Sequence, residues 1–162
     1  MEAPHGDEEE FKPILPGEGA SDYERYLRTD ELLALQKAPD EWVHRDELLF
    51  QTVHQSSELW LKHAWMEVEE ATRLIEARDL AGALRLLRRA NAAVRHVVSF
   101  LEHLELMSPW EYQEVRRVLG HGSGFDSPGF RDIRRVSPPL LDAFHALRRE
   151  RGLTEPRIGP CV

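Results

Sequence analysis

Residues Glu41 to Ala77 read EWVHRDELLFQTVHQSSELWLKHAWMEVEEATRLIEA. Neither proline nor glycine interrupts the stretch. Val43, Leu49, Phe50, Val53, Leu59, Trp60, Leu61, Trp65, Val68, Leu74 and Ile75 recur at a helical period, not in the alternation of a strand. The stretch predicts one long amphipathic helix, with Arg78-Asp79 as a tight break after it. A second long helix is predicted from about Leu80 to Leu106, because Leu84, Leu87, Val94, Val98, Leu101 and Leu104 share one stripe. Two such helices joined by so short a break pack against each other in opposite directions. The expected fold class is all-α, an antiparallel helical bundle with two long helices.

The flanks carry weaker signals. Ser108-Pro109 reads as an N-cap followed by proline at the first helical position, with Glu111 as an acid for the helix dipole. That helix should run to about Leu119. Gly120-His121-Gly122-Ser123-Gly124 is a loop, since glycines weaken any regular element. Phe130 to Arg135 reads as a helical turn, and Pro138-Pro139 as the opening of a last helix to about Arg151. Upstream, Tyr23 to about Gln36 forms a short amphipathic segment, with Asp22 as its expected cap and Pro39 as its end. No strand pair or fixed-period repeat is present. The expected organisation is an acidic arm over 1–20, a helical domain over 21–151 and an irregular tail over 152–162.

Composition narrows the function. Asp and Glu outnumber Lys and Arg by 29 to 21, and the formal net charge is -8. That argues against nucleic acid, which needs a basic stripe, and against an anionic membrane surface. No apolar run approaches the roughly 20 residues that cross a bilayer. The acidic N-terminus, with Glu8, Glu9 and Glu10, lacks an export pattern. The lone cysteine, Cys161, cannot form an internal disulfide, so a reducing, cytoplasmic compartment is expected.

Three places put polar or aromatic groups on a common helical face, where residues three or four apart are neighbours. They are Phe50 with His54, Tyr112 with Arg116, and Tyr23 with Tyr26. Each has an ordinary explanation: a satisfied interior histidine, a solvated or paired arginine, and core tyrosines with hydroxyls at the edge. Together they suit an aromatic amino acid. Arginine offers a planar fork for a carboxylate. A neutral histidine accepts a hydrogen bond from an indole N–H. Phenylalanine and tyrosine give flat walls. The glycine-rich loop with Ser123 lets backbone donors approach closely. There is no HExxH, CxxC, P-loop or dinucleotide fingerprint.

The segment from His44 to Lys62, HRDELLFQTVHQSSELWLK, resembles the tryptophan 2,3-dioxygenase family pattern H-D-E-x-L-F-x-x-x-H-Q-x-x-E-L-W-x-K. Tyr23-Glu24-Arg25-Tyr26-Leu27 with Leu32, Leu33 and Gln36 is similar to its Y-x-x-Y-L…L-L-x-x-Q segment. Met107-Ser108-Pro109 and Tyr112 to Arg116 are similar to a third block. Gly122 to Ser127 with Phe130-Arg131 matches a fourth, with Asp126 in place of the usual glutamine. The resemblance runs from about Tyr23 to Arg131.

The resemblance implies a substrate pocket. Phe50 packs on the indole, and Gln51, Thr52 and Val53 lie on the same binding segment. His54 contacts the indole nitrogen on the distal side of haem b and is the catalytic candidate. Arg116 takes the carboxylate beside Tyr112. Tyr23, Tyr26 and Leu27 wall the pocket, in the family sometimes from a neighbouring subunit, and Ser123 lies near the haem or substrate. The implied reaction inserts both atoms of dioxygen across the indole C2–C3 bond of tryptophan, giving N-formylkynurenine, in a homo-oligomer. Family chains are longer, and their second half supplies the histidine that ligates iron. Here the only histidine after the matched region is His145, the expected iron ligand of a compact chain. Two alternatives stay open: a haem-free aromatic amino-acid binding protein, and a divergent haem monooxygenase of an aromatic amino acid.

Overall fold

A computed structural model describes residues 12–153. Residues 1–11 of the acidic arm and 154–162 of the tail, with Cys161, lie outside the described residues. Among those described there are six α-helices and two 3-10 turns, and no strand. None of the helices is long and apolar enough to cross a membrane. The chain divides into two compact units, the first ending at Glu41 and the second beginning at Trp42.

The first unit holds α1 (Asp22–Leu27) and α2 (Thr29–Leu33). The single amphipathic segment predicted from Tyr23 to Gln36 is thus split. Arg28 breaks it by adopting the left-handed conformation, φ 55°. The cap of α1 is Ser21, not the expected Asp22. Ser21 and Glu24 form a reciprocal capping box, each side chain bonding the other's backbone N–H. Asp22 instead accepts the N–H groups of Ile14 and Leu15, at 2.8 and 2.7 Å. No residue of α1 or α2 is buried.

The second unit is built on α3 (Glu47–Glu76) and α4 (Leu80–Leu104). The long helix begins six residues later than predicted. Pro39–Glu41 forms a 3-10 turn, and the buried Glu47 carboxylate accepts the Val43 N–H at 3.0 Å. The break between the helices falls where expected. Arg78, at φ 67°, stands at the position where left-handed backbone ends a helix. Its N–H and that of Asp79 return to the carbonyls of Ile75 and Leu74. The Asp79 side chain then caps α4 through the Gly82 N–H. The pair runs antiparallel, with Glu67 against Arg89 and Ile75 clustered with Ala83.

The short α5 (Pro109–Val118) starts at the predicted Ser108 cap, again in a capping box with Glu111. Gly124–Asp126 forms a 3-10 turn. The final helix, α6 (Pro128–Glu150), corrects the sequence reading most. A turn at 130–135 and a new helix at Pro138 were expected; one helix passes through both prolines. Interior proline costs about 3 kcal/mol in lost hydrogen bonding and ring clash. The apolar face of α6 offsets this, burying Val136, Ala143 and Leu147. α6 lies along α3 in the same direction: Gly129 meets Glu58, Arg135 meets Glu69, and Glu150 pairs with Arg78.

Small residues let the three helices approach. Ala64, Ala71, Ala90 and Ala93 are all buried in the core. Gly129 is the tightest point, because a Cβ there would stand 2.5 Å from Leu61 Cβ. Gly129→Ala therefore destabilises the fold although alanine is the better helix former. Overpacking of this kind costs about 1–3 kcal/mol, and thermal unfolding followed by circular dichroism should show a melting temperature lower by several degrees. A second expectation concerns the α5 cap. The Ser108 side chain, the Ser108 N–H and the nearby His44 hold the Glu111 carboxyl below the ordinary glutamate range. The stabilisation is present above the unfolded pKa and is lost as pH falls through the lowered folded value. A carbon-13 titration should place Glu111 below the free value of about 4.3; a midpoint at or above it contradicts the capping assignment.

Candidate functional site

The end of the bundle where α3 begins collects most of the residues singled out in the sequence. His54 projects from α3 one turn after Phe50. Its Nδ1 lies 2.7 Å from the Phe50 carbonyl oxygen. A carbonyl oxygen only accepts, so Nδ1 carries the hydrogen, and in the neutral ring Nε2 is left as an acceptor. The Phe50 and His54 rings stand 4.0 Å apart, and the Tyr112 ring of α5 is 6.4 Å from Phe50. These three aromatic groups form one cluster, of which His54 alone lines the cavity beside it.

A cavity of about 470 Å³ opens beside His54. That is within the range of small-molecule sites, roughly 300–1,000 Å³. Leu61 of α3, Val97 and Leu101 of α4, and Phe130 and Ile133 of α6 make it apolar. The loop before α6 contributes Ser123, Gly124, Phe125 and Ser127. Polar groups are few: His54, Ser57, Glu58, Arg134 and the loop serines. An apolar cleft with a few convergent polar groups suits a ligand with one flat apolar portion and a polar end.

The structure does not gather every expected residue here. Arg116 lies one turn beyond Tyr112, and its Nη1 donates to the Gly120 carbonyl at 2.8 Å. Gly120 takes a left-handed φ of 58° at the start of this loop, a conformation that glycine adopts without steric cost. Ser123 lines the cavity and also caps the following 3-10 turn, with Asp126 completing the box. Within the binding segment, Val53 is buried in the core, Gln51 is half-buried and Thr52 is exposed; none of the three lines the cavity. Tyr23 and Tyr26, in the first unit, are 69% and 78% exposed, so they are not core residues of that unit. Leu27 is exposed as well.

Haem iron needs an axial ligand from the protein. His145 is fifteen residues beyond Phe130 on the same helix, which is about 22 Å at 1.5 Å per residue. It lies between Ala143 and Leu147, which pack with Ile75 and Ala83 at the opposite end of the bundle. Among the described residues, His54 is the one histidine lining the cavity. The described residues therefore do not by themselves fit a haem with His54 on one face and a second histidine on the other.

Sequence reasoning missed Glu58, Leu61 and the walls from α4 and α6. The first two had a signal: they follow His54 by four and seven residues, on the same helical face. The others are set by tertiary pairing, which no local pattern carries.

Comparison with known proteins identifies the family. The family model for tryptophan 2,3-dioxygenase matches residues 12–136. A tryptophan 2,3-dioxygenase of Kineococcus radiotolerans is 40% identical over 126 residues, covering 75% of this chain and 44% of the relative. That of Herpetosiphon aurantiacus is 35% identical over 144 residues, covering 84% of this chain and 55% of the relative. That of Xanthomonas campestris is 36% identical over 131 residues, covering 78% and 44%. The chain spans about half the length of the curated relatives it matches. It is a member of the tryptophan 2,3-dioxygenase family.

Proposed function

We propose that this chain recognises tryptophan, or a closely related indole amino acid, as the substrate-binding part of a haem-dependent dioxygenase. The observation that carries the reading is the His54 hydrogen bond to the Phe50 carbonyl. It presents Nε2 as an acceptor beside an apolar cavity, which is what an indole N–H requires. Phe50 and Tyr112 supply flat apolar surface, and the Arg116 guanidinium keeps donors beyond the one given to Gly120 for a carboxylate. Haem b and dioxygen complete the proposed reaction. With His145 remote from the cavity, the iron's axial ligand comes in this reading from outside the described residues.

Two measurements separate the parts of this proposal. Calorimetry should show tryptophan binding to the full chain, weakened about tenfold or more by Arg116→Ala, as expected for losing a hydrogen bond to a charged group. Tryptophan methylated at the indole nitrogen should bind more weakly to the wild type, while His54→Ala should no longer discriminate the two ligands. Absence of binding by any aromatic amino acid overturns the recognition role. Separately, the protein purified with haem supplied, under conditions that preserve oligomers, should show a Soret band. A haem-free binding protein is the second reading, favoured by the position of His145. Tryptophan affinity without a Soret band selects it.

A further inference from the structure

We propose that Glu58 is a positioning residue of this site: its carboxylate, fixed on α3, anchors the loop that brings Ser123 and Phe125 beside His54. The inference rests on the recognition role above for its consequence, and on geometry alone for its mechanism. Glu58 follows His54 by one helical turn, on the same face of α3, and lines the cavity. Both of its oxygens are engaged across a sequence separation of about seventy residues. The Ser127 hydroxyl donates to Oε1, and the Gly129 N–H donates to Oε2 at 2.9 Å.

The contact does more than join two helices. Ser127 is the cap of α6, and its Oγ accepts the Phe130 N–H at 3.1 Å. Phe130 N–H, Ser127 hydroxyl and Glu58 carboxylate therefore form one chain of hydrogen bonds ending on a charge, in which each bond polarises the next. The carboxylate also sits at the positive end of the α6 dipole. The place has little tolerance, because a Cβ on Gly129 would meet Glu58 Oε2 at 2.8 Å as well as Leu61.

The loop has no comparable hold of its own. Its other described hydrogen bonds are local: Ser123 with Phe125 and Asp126, and Arg116 with Gly120. Phe125 is 85% exposed although it lines the cavity. Ser127 and Gly129 thus attach the loop's downstream end to the helix that carries His54, and Glu58 is what they attach to. Glu58 acts through the loop, with both of its oxygens engaged by protein donors.

The test compares wild type, Glu58→Gln, Glu58→Ala and Ser127→Ala in the full chain, by hydrogen exchange and by tryptophan calorimetry. Gln keeps one acceptor oxygen where Glu has two, and Ala keeps none. Exchange of the amides from 122 to 130 should accelerate about tenfold or more in Glu58→Ala, the size of a lost hydrogen bond to a charge. Glu58→Gln should fall between, and amides of the α4 core around Ala90 and Ala93 should stay unchanged. Tryptophan affinity should fall in the same order. If Glu58→Ala does not fold, Ser127→Ala, which removes one of the two donors, decides with the same readouts. Acceleration spread evenly over the whole unit, or none at 122–130, overturns the positioning role. If wild-type protein binds no tryptophan, the recognition reading fails, and the exchange pattern still decides whether Glu58 anchors the loop.

Discussion

Leu61 and Gly129 meet at a separation that leaves no room for one more carbon. From that contact the register of α6 on α3 follows, and from the register follows the cavity. Ala64 and Ala71 continue the same closeness along α3. Arg135 then reaches Glu69 and the face of Trp65, and Glu150 reaches Arg78. Interiors pack as densely as organic crystals, so a displacement at Gly129 cannot be absorbed locally. It would move Phe130 and Ile133, which are walls of the cavity.

Much of this was legible in the sequence, for identifiable reasons. α3 and α4 are long, periodic and free of breakers in their interiors apart from Gly82, so their identity and their tight turn at Arg78-Asp79 were readable. Ser108-Pro109 marks the start of α5 by side-chain chemistry alone. The failures came where tertiary packing overrides a local rule. Two consecutive prolines read as a helix start, yet α6 runs through them because its apolar face is committed to α3. Asp22 and Ser21 are both good caps, and the choice turned on a partner, since Asp22 is taken by Ile14 and Leu15. Of the residues singled out by helical spacing and by family resemblance, His54 lines the cavity, and Phe50 and Tyr112 cluster with it. Apart from Phe130, which the resemblance includes, the α4 and α6 walls had no such signature; Val53 is buried in the core and does not line the cavity.

The two functional expectations of the family separate in space. The aromatic side chains and the acceptor nitrogen of His54 stand together at one end of the bundle. His145 stands at the other end, on the same helix as Phe130. His145 therefore does not stand at the cavity. In the proposed function, recognition of the indole and retention of iron are distinct tasks, and only the first is assigned to the described residues.

The parallel course of α6 along α3 has a consequence for how the molecule assembles. The α3–α4 hairpin closes over a turn of three residues. Contacts between α3 and α6 span separations of 66 to 71 residues. Closing the longer loop costs on the order of 2–3 kcal/mol more in chain entropy, and non-local contacts of this kind form slowly. The hairpin is thus the part that assembles from its own neighbours, and the α6 wall is added to it. The hollow beside His54 does not exist on the hairpin alone; it comes into being with the last helix to dock, so occupancy of that hollow and completion of the fold favour each other by mass action.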